Sequence, residues 1–192
     1  MKSYVTHYLE DLKKVISDVE PEDIVKIIDT LKKANESKKQ IFLIGNGGSA
    51  STANHFVCDF GKNAIKGDKG RYKIISLCDN ISYITAYGND VGYDSVFAEQ
   101  LKNLMEEGDL VLAISASGNS PNIIKAVEYA KQKNGVVIGL TGGCGGKLKE
   151  LSDININVPS NVIEQVEDAH LIFEHIIVYV FKQVSNAQQA ST

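Results

Sequence analysis

Five short apolar runs, at residues 40–44, 73–77, 109–114, 135–140 and 154–158, alternate with stretches of helical spacing at 49–61, 82–87, 93–105, 120–133 and 161–184. Strands that alternate with helices build one parallel sheet covered on both faces, because each crossover lays its helix against the sheet it has just left. Ile41-Phe-Leu-Ile44 and Leu110-Val-Leu-Ala-Ile114 are apolar throughout, as strands buried on both faces require. The expected fold class is α/β, a three-layer αβα domain with a five-stranded parallel sheet. Ahead of it, Tyr4, Tyr8, Leu12, Val15, Ile16 and Val19, then Ile24, Ile27, Ile28 and Leu31, recur at helical spacing. Pro21 punctuates them, which predicts an N-terminal helical hairpin over 1–37.

The 192 residues are 43% hydrophobic, enough for a single domain over 1–192 with a sizeable core. The polar connection at 62–72 marks no domain boundary, and 185–192 reads as a disordered tail. A net charge of −4 gives no global attraction to nucleic acid or to an anionic membrane, so an anionic ligand must be held by local amides and hydroxyls. No apolar run reaches membrane-spanning length, and Met1 to Tyr8 opens an amphipathic helix rather than a signal peptide. Cys58, Cys78 and Cys144 lack Cys-x-x-Cys spacing, which argues against a disulfide framework or a structural zinc site and fits a reducing cytoplasm.

Two of the strands run into turns of small residues. Gly45-Asn-Gly-Gly-Ser-Ala-Ser51 follows the first, and Ser115-Ala-Ser-Gly-Asn-Ser120 follows the third, with Pro121 at the first helical position. Glycines bring backbone N–H groups close to a ligand, and a helix beginning there adds free N–H groups and the positive end of its dipole. Ser49, Ser51, Ser115, Ser117 and Ser120 thereby become candidate phosphate ligands at the carboxyl edge of the sheet. His55 and Asp59, four apart, share a helix face as an acid–base pair or as a solvated ion pair. On the last helix, Glu164, Asp168 and His175 fall in one stripe with Glu167 about 80° away, so Glu167 and His175 can line two sides of a cleft. His170 faces away from that stripe and reads as a core histidine, or one supporting a site residue from behind, rather than a ligand.

Together, Gly45 to Ser51, Gly88-Asn-Asp90, Ile114 to Ser120 and the pattern from Glu167-Asp-Ala-His170 to His175 resemble the sugar isomerase (SIS) domain family, most of all its sedoheptulose-7-phosphate isomerases. The resemblance spans nearly the whole chain. It implies that Ser49, Ser115, Ser117 and Ser120 hold a phosphate, and that Asn46 and Asp90 hold sugar hydroxyls. Gly47, Gly48, Ala116 and Glu167 complete the implied substrate site, Ala116 standing where a hydroxyl residue is common. The implied reaction is aldose–ketose isomerisation of a heptose phosphate, with Asp59 and His175 as the acid–base pair. One zinc ion per subunit is implied on His55, Asp59, Glu167 and His175, in a cytoplasmic homotetramer with active sites between subunits. The catalytic shell departs from the family pattern twice, with aspartate for glutamate at 59 and glutamate for glutamine at 167; Lys62 also replaces the usual arginine.

Three other readings stand beside this one. A SIS isomerase of another sugar phosphate would keep the same serine turns. A related SIS protein binds the bacterial replication initiator without isomerising a sugar; His55, Asp59 and His175 argue for catalysis instead. Gly45 to Ala50 also fits a dinucleotide fingerprint, but the acidic residue expected about 20 positions later is poorly met.

Overall fold

A computed structural model describes residues 1–64 and 71–190, without the side chains of 186–190. The chain opens with α1 (Lys2–Ser17) and α2 (Pro21–Glu36), the expected hairpin. Then follow β1 (Gln40–Gly45), α3 (Gly48–Asn63), β2 (Lys73–Ser76), α4 (Ile81–Asp90) and α5 (Val96–Leu104). The remainder is β3 (Leu110–Ser115), α6 (Pro121–Gln132), β4 (Val136–Gly142), α7 (Gly146–Leu151), β5 (Ile154–Val158) and α8 (Ile163–Ala190). The five strands form one sheet in the order β2-β1-β3-β4-β5, with every pairing parallel.

Successive side chains of a strand point to opposite faces, and both faces here are buried. Ile41 and Leu43 of β1 join a core with Phe56 and Phe60 of α3 and Phe173 and Phe181 of α8. Phe42 and Ile44 join the opposite core with Phe97 and Leu101 of α5 and Ile123 and Val127 of α6. Phe60 meets Phe181 edge-on, with ring centroids 4.9 Å apart, so α3 and α8 are fixed side by side. The hairpin is tied on by the Tyr8 hydroxyl, which donates to Asp168 Oδ2 at 2.6 Å and whose pKa that bond pushes up to about 12.

Register decides where the turns emerge. Gly45 lies opposite Ile114, so the segments after β1 and β3 leave the sheet side by side at its carboxyl edge.

The expected elements are present, with local differences. The stretch read as one helix at 93–105 is a 3-10 turn at Tyr93–Ser95 followed by α5. Helix α7, only 6 residues long, is too short to show a helical period and was not expected. Helix α8 continues through Ala190, into the segment read as a tail. Within the 62–72 connection, residues 65–70 lie outside the described residues, as do 191 and 192 of the tail.

Candidate active site

After β1, Gly47 turns with φ of 53°, a left-handed conformation that glycine adopts without steric penalty, and α3 begins at once. Among the described residues no side chain caps α3, which leaves its first N–H groups to face a ligand. After β3, Gly118 turns with φ of 65° and its N–H donates to Ser115 O at 3.0 Å. Ser120 then precedes α6, its Oγ 3.4 Å from Ser115 Oγ.

Between the two turns lies a cavity of about 200 Å³, lined by Asn46, Ser49, Ser115, Ala116, Ser117 and Ser120 together with Ile114, Ile163 and Glu167. Ser49 and Ser115 are buried with no cation beside them in the lining, so hydroxyls and backbone amides are what the cavity offers an anion. Glu167 stands against the start of α3: a methyl group added at Gly48 would collide with its carboxylate.

Asn46, a lining residue, also has protein partners. Its amide is engaged by Asn122, Nδ2 to Oδ1 at 2.9 Å and Oδ1 from Nδ2 at 2.8 Å, and its Oδ1 also accepts from the Tyr93 hydroxyl at 2.9 Å. The pair clamps the two turns together, and neither Asn122 nor Tyr93 was a candidate from sequence. Asp90 ends α4 with its carboxylate accepting from Asn89 Nδ2 at 2.8 Å, and Ser51 is exposed; neither lines the cavity.

Further along the same two helices, four side chains converge. His55 and Asp59 of α3 meet Glu174 and His175 of α8, with one ligating atom of each lying within 4.8 Å of all the others. The two imidazole Nε2 atoms are 3.1 Å apart, and His55 Nε2 is 3.7 Å from Asp59 Oδ2. Imidazole and carboxylate are donors that a borderline divalent cation takes. Glu174 stands with these residues, and Glu167, implied by the resemblance, lines the serine cavity.

Glu174 is 1% exposed, and burial, with the charge of Asp59 second, pushes its pKa up to about 7. A signal for it existed in the sequence. Ala169, His170, Phe173, Ile177 and Val178 are the buried stripe of α8, and Glu174 falls within it. His170, in the same stripe, is the core histidine expected, with Nε2 3.2 Å from Thr141 O and its pKa lowered to about 4 by burial.

The sequence profile of the SIS domain family matches residues 5–142. The chain belongs to the SIS domain family. Among SIS relatives, it is 42% identical to the phosphoheptose isomerase of Aliarcobacter butzleri over 94% of each chain. It is 35% identical to phosphoheptose isomerase 2 of Campylobacter jejuni, over 95% of this chain and 93% of that one. The solved phosphoheptose isomerase of Neisseria gonorrhoeae superposes with a TM-score of 0.86 at 29% identity, covering 95% of this chain and 98% of its own. That of Francisella tularensis gives 0.85, also at 29% identity, over 94% and 97%. The SIS fold thus accounts for both the helical hairpin and the sheet of this chain.

Proposed function

We infer that this SIS protein is a phosphoheptose isomerase, which interconverts sedoheptulose 7-phosphate and a D-glycero-D-manno-heptose 7-phosphate for the synthesis of nucleotide-activated heptose. The observation that carries this is a serine-lined anion cavity and a histidine–carboxylate cluster borne by one pair of helices, α3 and α8. From Ser49 to His55 is about 9 Å of helix rise, and from Glu167 to His175 about 12 Å. An extended sugar phosphate can therefore rest its phosphate on the serines and its carbonyl end at the cluster.

At that end Asp59 takes a proton from C1 of the ketose while His175 gives one to the C2 oxygen, leaving an enediol. The proton on Asp59 then returns to C2, and the C1 hydroxyl surrenders its own to His175, completing the aldose. Ser49, Ser115, Ser117 and Ser120 anchor the phosphate, and the Asn46–Asn122 pair holds the turns that carry them. His55, Asp59 and His175 would hold a zinc ion, which supplies a positive charge to polarise the carbonyl and stabilise the enediolate.

A homotetramer with shared active sites is part of the proposal. Tyr4, Val5 and Leu9 of α1 are 80%, 61% and 56% exposed, more apolar surface than a lone helix face leaves to water. The cluster is itself open, with the side chains of His55 and His175 about half exposed, so a neighbouring chain can close it. The three free cysteines fit the cytoplasm.

Incubation with sedoheptulose 7-phosphate, with zinc and after chelation, tests the assignment. A heptose 7-phosphate aldose should accumulate to equilibrium. No conversion under either condition would refute it, and full activity after chelation would leave His175 as an acid–base group only.

A further inference from the structure

An asparagine amide discriminates poorly when free, because it offers an acceptor and a donor of nearly the same shape and exchanges them by a half-turn. Asn46 in the serine cavity is not free to do so. Asn122 Oδ1 accepts from Ile123 N–H at 3.0 Å, an N–H shared with Ser120 O, and this fixes which end of the Asn122 amide is oxygen. Asn122 Nδ2 therefore points at Asn46 Oδ1, at 2.8 Å, and Asn46 Nδ2 donates back to Asn122 Oδ1 at 2.9 Å. Turning either amide over would set N–H against N–H.

The Tyr93 hydroxyl completes the lock. It donates to the same Asn46 Oδ1 at 2.9 Å, so both lone pairs of that oxygen are taken. The phenol is 58% exposed, but its backbone is pinned: Asp94 beside it accepts from Lys125 Nζ of α6, and Ser95 is buried. What remains of the Asn46 amide, among the described residues, is a single N–H without a partner.

Among the described residues the cavity lining has no cation, and it includes the carboxylate of Glu167. Serine hydroxyls turn to donate or accept, so they do not by themselves favour an anion. An amide that can only donate does.

We propose that Asn122 and Tyr93 are positioning residues, which act through Asn46 by holding its amide so that a donor and no acceptor faces the ligand. The matching group is an acceptor oxygen of the sugar phosphate, and the inference rests on the sugar-phosphate reading above.

A double-mutant cycle on affinity tests it, by calorimetry of the full-length chain with two probes, sedoheptulose 7-phosphate and inorganic phosphate. Asn46→Ala should raise the dissociation constant about 10-fold and Tyr93→Phe about 5-fold, the scale of one hydrogen bond in each case. In the Asn46→Ala background, Tyr93→Phe should add less than about 2-fold, because the phenol acts only through that amide. In turnover, Tyr93→Phe should raise KM and leave kcat within about 2-fold. Additive effects would make Tyr93 a ligand contact in its own right and overturn the proposal. Wild-type affinity in Tyr93→Phe, whatever its melting temperature, would make the phenol structural only and overturn it as well. An effect seen with both probes puts the acceptor on the phosphate, and one seen with the sugar phosphate alone puts it on the sugar; either agrees with a donor-only amide.

Asn122→Asp reverses the polarity, since two carboxylate oxygens claim both Asn46 N–H groups and leave Asn46 Oδ1 towards the ligand. Affinity should then fall further than in Asn46→Ala, and wild-type affinity would refute the lock. If this buried variant does not fold, the Tyr93 cycle decides alone. Affinity is read without turnover, so a wild-type chain that binds the sugar phosphate but does not convert it removes the isomerase reading and leaves this one. A wild-type chain that binds neither probe removes this one.

Discussion

His170 offers a pH test that involves neither substrate nor metal. It is 1% exposed, its Nε2 faces Thr141 O, and its Nδ1 has no partner among the described residues. A proton on Nδ1 would place a charge where nothing accepts it, and burial lowers the pKa from 6.5 to about 4. The unfolded chain takes up this proton near 6.5 and the folded chain only near 4, so between those values unfolding binds more protons. Folding stability from this group is therefore complete above about pH 6.5 and is lost as pH falls to about 4. At 1.36 kcal/mol per unit the loss comes to about 3 kcal/mol. His170→Gln keeps an N–H for Thr141 O and does not titrate. Glu174, raised towards neutrality, contributes the opposite slope in overlapping pH range, so the informative quantity is wild type minus variant. Urea unfolding of chelated wild type and His170→Gln near neutral pH and near pH 4 should show that difference shrinking by about 3 kcal/mol on acidification. A difference that stays constant would show that His170 is not held neutral by burial.

Three more outcomes follow from the site. Ser117→Ala with Ser120→Ala should weaken substrate binding by about 100-fold or more, since each hydrogen bond to a phosphate contributes about 1.5–3 kcal/mol; unchanged KM would remove these serines from the site. Asp59→Asn should lower kcat by about 10²–10⁴-fold while leaving the sugar phosphate bound, a result read by steady-state kinetics and calorimetry on one preparation. Gly118→Ala should destabilise the fold by about 3 kcal/mol or more: the left-handed φ costs about 1–2 kcal/mol, and the new methyl meets the Gly145 carbonyl, threatening the Leu148 N–H bond to Gly118 O. Wild-type stability in urea would contradict that geometry.

The sheet was legible because apolar runs and turn residues coincide, whereas strand order and register, which join distant segments, were not. The serine turns and the His55–Asp59 pair were equally readable, since spacing along one segment fixes their direction. What escaped is what depends on two distant segments at once. Asn122 looks like an ordinary first-turn residue of α6 until Asn46 arrives opposite it. Glu174 sits one residue from His175, about 100° around the helix, so a search along His175's own stripe passes it by. A buried-stripe position occupied by a carboxylate was the available clue. Residue 167 was assigned by likeness, and its place in the cavity wall beside the start of α3 depends on how two distant helices pack.

The clamp between Asn46 and Asn122 constrains how such a chain can diverge. Two amides that exchange both bonds form a closed ring, and a change at either position sets donor against donor or leaves a buried group alone. Neither position can wander by itself without pulling the two turns apart. Inheritance at 46 and 122 should therefore proceed in paired steps, and the distance between the turns stays one hydrogen bond wide while the walls around it are free to change.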